Sequence, residues 1–336
     1  MKVPIVFSFD DNFALPASIA IKSLVDCAGP GTEYEIYVFH DGLSRAVMDK
    51  MGSIADIRWV KVDPSLLDGI PETRQWPRNV CYRMLIPEIL RDYEKVVWSD
   101  VDVLFRDDVS ALLGFDLSDS DLAAVAAERN TPEMACHPYH PENANEFVFW
   151  SGLLVFNCDR WRRRGLFSSC VNVLREHRDK LRFFDLETLN MVCRNIVRLP
   201  LEYCVLESLS RGGALGDAAE YSWLSKAYLD AELDRARSSP VIVHYTGINP
   251  KIWNRRREDI PDYYWRYIES SPFFRRDFFF PTAATHLRSA ILLLAYKMCP
   301  VHGAREALKG KWRRVKWKNQ YQRAQLKRLE AGNGNR

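Results

Sequence analysis

The chain has 336 residues, of which 47% are hydrophobic and 27% charged, and this ordinary balance excludes a disordered, collagen-like or coiled-coil protein. The net charge of +3 conceals a basic tail, because residues 301–336 hold 11 Lys and Arg against 2 Asp and Glu, while the remainder is mildly acidic. The body of the chain therefore lacks the charge of a nucleic-acid-binding domain, and no run of 18 apolar residues predicts a membrane span.

Strand and helix patterns alternate through the first 130 residues. Short apolar runs predict strands at 4–9, 33–39, 57–62, 95–99 and 121–127. Helical spacing of apolar residues predicts helices at 14–27, 44–53 and 78–90. We interpret the N-terminal MKVPIVFSFDDNF as the first strand and not as a signal peptide. This alternation predicts an α/β fold with a mostly parallel sheet flanked by helices, in which ligands bind at the carboxyl ends of strands.

The composition of the chain changes at residue 130 and again at residue 246. The segment 130–150 is polar and contains prolines, which is typical of a functional loop. Beyond it we predict strands at 152–157 and 241–245 and helices at 158–179 and 185–194. From residue 246 onward the chain is rich in aromatic and basic residues. We therefore predict one α/β domain over 1–255 and a helical, basic C-terminal extension over 256–336.

Several signatures of other protein classes are absent or incomplete. The eight cysteines form no C-x-x-C pair and most have apolar neighbours, which predicts reduced and mostly buried thiols. The segment HPYH at 137–140 offers two imidazoles, but no third ligand lies nearby in the sequence. The chain contains no G-x-G-x-x-G, P-loop or G-x-S-x-G motif, so a usual dinucleotide fold, a P-loop enzyme and an α/β-hydrolase are not indicated.

Two carboxylates follow the predicted strand at 95–99. Asp100 and Asp102 are two residues apart, so in an extended chain they point the same way. Such neighbours repel each other unless a cation lies between them, and a divalent metal is the natural partner. His244 ends another strand, and two carboxylates with an imidazole suit Mn²⁺. The alternatives are a solvated turn with two acids and a structural histidine.

Three other polar segments begin or end predicted elements. Residues 10–12 follow the first strand, where they can bind a base or a ribose or simply cap the next helix. Residues 184–187 open a helix, where acidic side chains are also favoured by the helix dipole. Residues 150–152 precede a strand, and the small pair Ser151 and Gly152 permits close approach of a ligand or of another backbone.

Taken in this order, five segments resemble the sequence pattern of glycosyltransferase family 8. They are FSFDDNF (7–13), VVWSDVDVLF (96–105), FWSGLLVFN (149–157), DLETLN (185–190) and HYTGINPKIW (244–253). The resemblance covers roughly residues 3–255. The following YYWRYIESSPFF (263–274) resembles the extension found in the lipopolysaccharide glucosyl- and galactosyltransferase branch of the family.

The resemblance implies a GT-A (Rossmann-like) fold, a UDP-sugar donor, an Mn²⁺ or Mg²⁺ ion and retention of the anomeric configuration. Retention is explained either by a covalent intermediate or by same-face attack assisted by the leaving phosphate. The implied metal ligands are Asp100, Asp102 and His244. The implied donor-binding residues are Ser8, Asp10, Asn12, Phe13, Val101, Ser151, Gly152, Gly247 and Lys251. The residues implied at the reacting centre are Arg83, Asp185 and Glu187.

This sequence departs from the family pattern at three places. Leu186 stands where the family has a Gln near the anomeric carbon, and Glu187 stands where it has an Asp. Trp150 replaces the common Asn. The spacing from Gly247 to Lys251 is one residue longer than in the family, which weakens the expectation that Lys251 reaches the diphosphate.

The sequence therefore predicts a hexosyltransferase that moves glucose or galactose to a cell-envelope or surface glycan, or to a lipid-linked acceptor. A protein-glycosylating transferase and a non-catalytic scaffold that binds UDP-sugar remain open alternatives. The tail carries Trp312, Trp317 and Tyr321 among many basic residues, a pattern suited to an anionic membrane surface or to a solvated tail. We expect a cytoplasmic protein, with the inner face of the plasma membrane as the candidate surface and no nucleic-acid partner.

Overall fold

A computed structural model of the protein describes residues 1–70, 78–133, 140–210, 224–246 and 251–279, together with a few helical residues between 291 and 308. The chain divides into two compact units. The first unit comprises residues 1–248 and 266–273, and the second comprises 249–265 and 274–336. In the described ranges, no helix has both the length and the apolar character needed to cross a bilayer.

A seven-stranded sheet forms the centre of the first unit. Its strands are β1 (Lys2–Ser8), β2 (Glu33–His40), β3 (Ile57–Lys61), β4 (Lys95–Ser99), β6 (Leu122–Arg129), β7 (Phe147–Asn157) and β8 (Val197–Leu199). The strand order is β3-β2-β1-β4-β7-β6-β8. β7 runs antiparallel to both of its neighbours, and all other pairs are parallel. The sheet is therefore mainly parallel, as the alternation of strands and helices predicts.

A second, three-stranded sheet lies in the same unit. It contains β5 (Val103–Phe105), β9 (Val205–Leu206) and β10 (Ile242–His244), in the order β5-β10-β9. β10 is antiparallel to β5 and parallel to β9. β5 starts only four residues after β4 ends, so the chain passes from the large sheet to the small one through residues 100–102.

Helices and 3-10 turns connect these strands. The α-helices are α1 (Ala14–Asp26), α2 (Arg45–Met51), α3 (Ile86–Ile89), α4 (Cys158–Arg163), α5 (Leu166–Glu176), α6 (Phe184–Val192), α7 (Glu207–Ser210), α8 (Asp230–Ser238), α9 (Asp262–Ser270) and α10 (Arg276–Phe279). The 3-10 helices are Asp11–Phe13, Pro64–Leu67, Arg78–Leu85, Ser110–Gly114, Leu201–Tyr203, Ile252–Asn254 and Arg257–Asp259.

Some predicted boundaries are wrong. β7 begins at Phe147, so the loop predicted over 130–150 ends earlier, and Ser151 lies inside a strand instead of before it. The helix predicted over 158–179 is interrupted at Gly165, whose φ of 62° is a left-handed conformation that glycine adopts at little cost. The helix predicted over 78–90 is a 3-10 helix over most of its length.

The core of the first unit is apolar and continuous around the large sheet. Val3, Ile5, Val6 and Phe7 of β1 are fully buried, as expected for a central strand covered on both faces. Six of the described cysteines are free thiols, and all of them except Cys27 are buried, in agreement with the sequence prediction. In the second unit, Trp265 packs edge-on against Phe279.

Candidate active site

Several of the residues singled out in the sequence lie at one edge of the large sheet. β1 and β4 are parallel neighbours, so Ser8 and Ser99 end their strands on the same side. β7 runs the opposite way and pairs Leu153 with Ser99, which brings the preceding Gly152 beside the end of β4. The backbone N–H of Asp100 donates to the carbonyl of Gly152 at 2.8 Å. This edge corresponds to the carboxyl ends of parallel strands, where ligands bind in open α/β sheets.

Asp100, Asp102 and His244 form a cluster of side chains that could hold a metal ion at this edge. One ligand atom from each residue lies within 4.8 Å of the other two, and no other group of this kind occurs in the described ranges. Nε2 of His244 lies 3.0 Å from Oδ1 of Asp102 and 3.8 Å from Oδ2 of Asp100. The two carboxylates are partly exposed, whereas the imidazole is buried. Two oxygens and one nitrogen converge on one point that remains open to solvent on the carboxylate side.

The small sheet holds His244 in place. His244 pairs with Val103 of β5 on one side and with Leu206 of β9 on the other. The backbone N–H of Tyr245 donates to the carbonyl of Asp102 at 2.8 Å. Sγ of Cys204, the residue before β9, lies 3.5 Å from Nδ1 of His244. The imidazole thus has a carboxylate at one ring nitrogen and a thiol at the other.

Burial and the neighbouring charges shift the pKa values of Asp100 and His244. Burial raises the pKa of Asp100 above its usual range, and the neighbouring Asp102 adds to this effect, although Arg83 opposes it. Burial alone would lower the pKa of His244, but the Asp102 carboxylate outweighs it, so that the pKa is raised well above the ordinary value. The negative charge of Asp100 is thus disfavoured and a positive charge on His244 is favoured, as expected at a place where a cation would be stabilised.

Gly152 occupies a position where no side chain fits. A Cβ added there would lie 2.5 Å from Cε1 of His244 and 3.2 Å from Oδ2 of Asp100. Contacts between heavy atoms below about 3 Å are repulsive, because non-bonded carbon atoms prefer separations of roughly 3.5–4.0 Å. Glycine fits this position because the side chains of His244 and Asp100 pack directly against its Cα.

Arg83 links the cluster to helix α6. Its guanidinium is 4% exposed and lies 2.9 Å from Oδ1 of Asp100 and 3.0 Å from Oδ2 of Asp185. It also donates to the carbonyls of Val80 and Ser151. Arg83 therefore holds the two carboxylates in a fixed relative position.

The start of α6 presents two buried acids with different partners. Asp185 is paired with Arg83, whereas Oε2 of Glu187 accepts from the backbone N–H groups of Arg182 and Phe183 at 2.6 and 2.7 Å. Oε1 of Glu187 lies 2.7 Å from Nε2 of His140. In this arrangement Glu187 stabilises the start of the helix and contacts the loop that precedes β7.

Asp10 caps the 3-10 helix that follows β1, and Phe13 of that helix is partly exposed. Oδ1 of Asp10 accepts from the backbone N–H groups of Asn12 and Phe13 at 3.0 and 3.1 Å, so the capping alternative is realised. Phe13 is 42% exposed as a residue. The hydroxyl of Ser8 is buried and has no hydrogen-bond partner in the part of the chain that the structure describes. Val101, between the two cluster aspartates, is buried in the core.

The structure describes some of the remaining predicted positions and not others. Gly247 lies outside the described residues. Lys251 belongs to the second unit, where its ammonium group lies 5.8 Å from the centre of the Trp253 ring. Trp150 packs against the hydrophobic core, and Leu186 is buried. Of the HPYH segment only residue 140 is described.

Three residues that position the site were not identified from the sequence. The ring of Trp98 stacks under Arg83, with Cζ 4.5 Å from the ring centre. Asn190 fixes α6 to β7, because its Oδ1 accepts from Phe149 N at 2.9 Å and its Nδ2 donates to Phe149 O at 3.0 Å. The third residue is Cys204. Asn190 is the last residue of the DLETLN segment, whereas nothing near Cys204 in the sequence distinguishes it from the other buried thiols.

Comparisons with known proteins show the family to which the chain belongs. The family described as Glycosyl transferase family 8 matches residues 4–257. The lipopolysaccharide 1,2-glucosyltransferase of Escherichia coli is 21% identical over 282 residues, which are 80% of this chain and 76% of that protein. The general stress protein A of Bacillus subtilis is 22% identical over 279 residues, 79% of this chain and 92% of that one. The lipopolysaccharide 1,3-galactosyltransferase of Salmonella typhimurium is 20% identical over 59% of this chain and 61% of that one.

Solved structures show the same fold. The galactosyltransferase LgtC, solved with donor and acceptor sugar analogs, aligns with a TM-score of 0.65 and 23% identity over 82% of this chain and 98% of that chain. The bifunctional glycosyltransferase WbbM aligns with a TM-score of 0.64 and 24% identity over 81% of this chain, which spans half of that longer protein. These similarities confirm the predicted GT-A fold.

Proposed function

The chain belongs to glycosyltransferase family 8, and from this membership we propose that it is a metal-dependent, retaining hexosyltransferase with a UDP-sugar donor. The transferred sugar is glucose or galactose, and the acceptor is a cell-envelope glycan or a lipid-linked precursor of one. The observation that carries the proposal is the cluster of Asp100, Asp102 and His244 at the carboxyl edge of the sheet. The lipopolysaccharide glucosyl- and galactosyltransferases among the relatives support this choice of sugar and acceptor.

The donor atoms of the cluster fit a divalent metal. Two carboxylates and one imidazole favour Mn²⁺, with Mg²⁺ as the second choice. A cation held there would supply positive charge next to the nucleoside diphosphate that leaves. Arg83 keeps the Asp100 carboxylate oriented, and Gly152 leaves the room that the imidazole needs.

The nucleotide binds next to β1 in this proposal. The buried hydroxyl of Ser8 has no partner in the described chain, so a ligand group there would remove an unsatisfied polar atom. The exposed ring of Phe13 offers a face on which a base can stack, and base–aromatic stacking contributes about 1–3 kcal/mol. Asp10, Asn12, Val101 and Gly247 remain the proposed neighbours of the uridine and the diphosphate.

The transfer step exchanges one bond for another at the anomeric carbon. The acceptor oxygen forms a bond to that carbon, the bond to the diphosphate oxygen breaks, and UDP and the hydroxyl proton leave. Asp185 and Ser151 border the donor sugar, and Arg83 holds the Asp185 carboxylate on that side. Glu187 acts in this proposal as a positioning residue, since both of its oxygens already have partners.

A UDP-release assay tests the proposal. With UDP-glucose, UDP-galactose, UDP-N-acetylglucosamine and UDP-glucuronic acid as donors, we expect release from glucose or galactose with Mn²⁺ and none with EDTA. Slow hydrolysis of the donor is enough for detection, because water replaces the acceptor. A protein that binds UDP-sugar tightly but releases no UDP with any envelope glycan extract is a scaffold, and this result would overturn the proposed activity.

We further propose that the protein works in the cytoplasm and touches the inner face of the plasma membrane. Three apolar side chains of the helical stretch after residue 290 are more than half exposed: Ile291, Leu294 and Met298. Their spacing places them on one helical face, and the basic tail follows in the sequence.

For this surface we expect co-sedimentation with vesicles that contain anionic lipids but not with neutral vesicles, and loss of binding at high salt. The double variant Ile291→Asp, Leu294→Asp should reduce the bound fraction. Leu66→Asp is the matched control, because Leu66 is an exposed apolar residue of the first unit. Equal binding of the double variant and the wild-type protein would contradict the assignment.

A further inference from the structure

We propose that Cys204 is a positioning residue that fixes the imidazole of His244 for metal binding. This inference rests on the proposed metal site and assigns the residue that acts behind it. The observation that carries it is the distance of 3.5 Å between Sγ of Cys204 and Nδ1 of His244, in a place where both residues are buried.

The small sheet brings the thiol and the metal site to opposite sides of one ring. His244 lies on the central strand β10. Asp102 directly precedes β5, one flanking strand, and faces Nε2. Cys204 directly precedes β9, the other flanking strand, and faces Nδ1. The pairing of the three strands therefore determines both partners of the imidazole at once.

The chemistry of histidine ligation gives the thiol its role. A neutral imidazole that gives its Nε2 lone pair to a metal carries its proton on Nδ1, and the group that accepts from Nδ1–H sets the orientation of the ring. A thiol is both a weak donor and a weak acceptor. Cys204 can therefore accept from Nδ1–H when a metal occupies Nε2.

The competing explanation is that Cys204 only fills space in the core. Burial does not set Cys204 apart from the other cysteines, since Cys204 is 2% exposed and Cys170 of α5 is fully buried. The two explanations predict different effects when Cys204 is replaced by a residue of different volume or of different hydrogen-bonding capacity. Valine keeps an apolar side chain of similar volume but accepts no hydrogen bond, whereas serine is smaller and keeps an acceptor.

The experiment is a titration of the purified protein with Mn²⁺, with free Mn²⁺ measured from its electron paramagnetic resonance signal. Cys204→Val should bind Mn²⁺ about tenfold more weakly than the wild type, the lower end of the range for lost outer partners of metal ligands. Cys204→Ser should lie between the two. Cys170→Val is the matched control and should bind like the wild type. Thermal unfolding of each variant in EDTA identifies those that fail to fold.

The outcomes separate this inference from the metal site itself. Wild-type affinity in Cys204→Val, or weaker binding by Cys204→Ser than by Cys204→Val, would leave the metal site intact and overturn the positioning role. Equal weakening in Cys204→Val and Cys170→Val would show a general packing effect and would also overturn it. A wild-type protein that binds no Mn²⁺ would remove the metal site and this inference together.

Discussion

Asp102→Asn should abolish metal-dependent UDP release while the fold remains intact. The substitution keeps the shape of the side chain but removes the negative charge that lies 3.0 Å from Nε2 of His244. Loss of about 3–5 kcal/mol of transition-state stabilisation by the metal corresponds to a decrease of about 10²- to 10⁴-fold in kcat/KM. Asp100→Asn should have a similar effect, and it also weakens the ion pair with Arg83.

The fold should tolerate both changes, because each removes one of two carboxylates that repel each other in the metal-free protein. Circular dichroism and thermal unfolding in EDTA check this. Asp92→Asn is the control, since Asp92 is exposed and lies just before β4, at the end of the strand opposite to the cluster. Full activity in both cluster variants would refute the assignment of the metal ligands.

Gly152→Ala should damage the site through a single methyl group. The new Cβ would lie 2.5 Å from Cε1 of His244 and 3.0 Å from its Nδ1, so the imidazole must shift from its position in the cluster. Overpacking of this kind typically costs about 1–3 kcal/mol of unfolding free energy. We expect Mn²⁺ affinity and kcat/KM to fall by at least about tenfold, since each 1.4 kcal/mol of lost binding energy is a factor of ten.

Gly114→Ala is the matched control for this variant. A Cβ at that position meets no atom within 4 Å, so activity and Mn²⁺ affinity should be unchanged. Both parameters are measured on the same preparations as the unfolding curves. If Gly152→Ala retained the activity and the Mn²⁺ affinity of the wild type, the close packing of Gly152 against the metal ligands would have no functional role.

The fold could be predicted largely because its strands are buried on both faces. β1 and β4 are short apolar runs followed at once by polar residues, and this change of composition marks both the strand and its functional end. The predicted limits of β7 were less accurate. Its first residues, from Phe147, follow a polar loop and include Trp150 and Ser151, which do not resemble the apolar run after Gly152.

The site was predictable where neighbours in the sequence are neighbours in space. Asp100 and Asp102 are such a pair, and His244 could be linked to them only through the resemblance to a family. Arg83 needed that resemblance too, because its contacts with Asp100 and Asp185 join three separate segments of the chain. The contact of Cys204 with His244 depends on the pairing of β9 with β10, which are more than thirty residues apart. No local pattern encodes that pairing.

The most direct test of the account is a crystal of the protein grown with Mn²⁺ and UDP, measured at the manganese absorption edge. We expect one strong anomalous peak at coordination distance, on the order of 2 Å, from Asp100, Asp102 and Nε2 of His244, with the diphosphate on its open side. A peak elsewhere, or UDP bound at this edge of the sheet with no metal beside the three residues, would contradict the account.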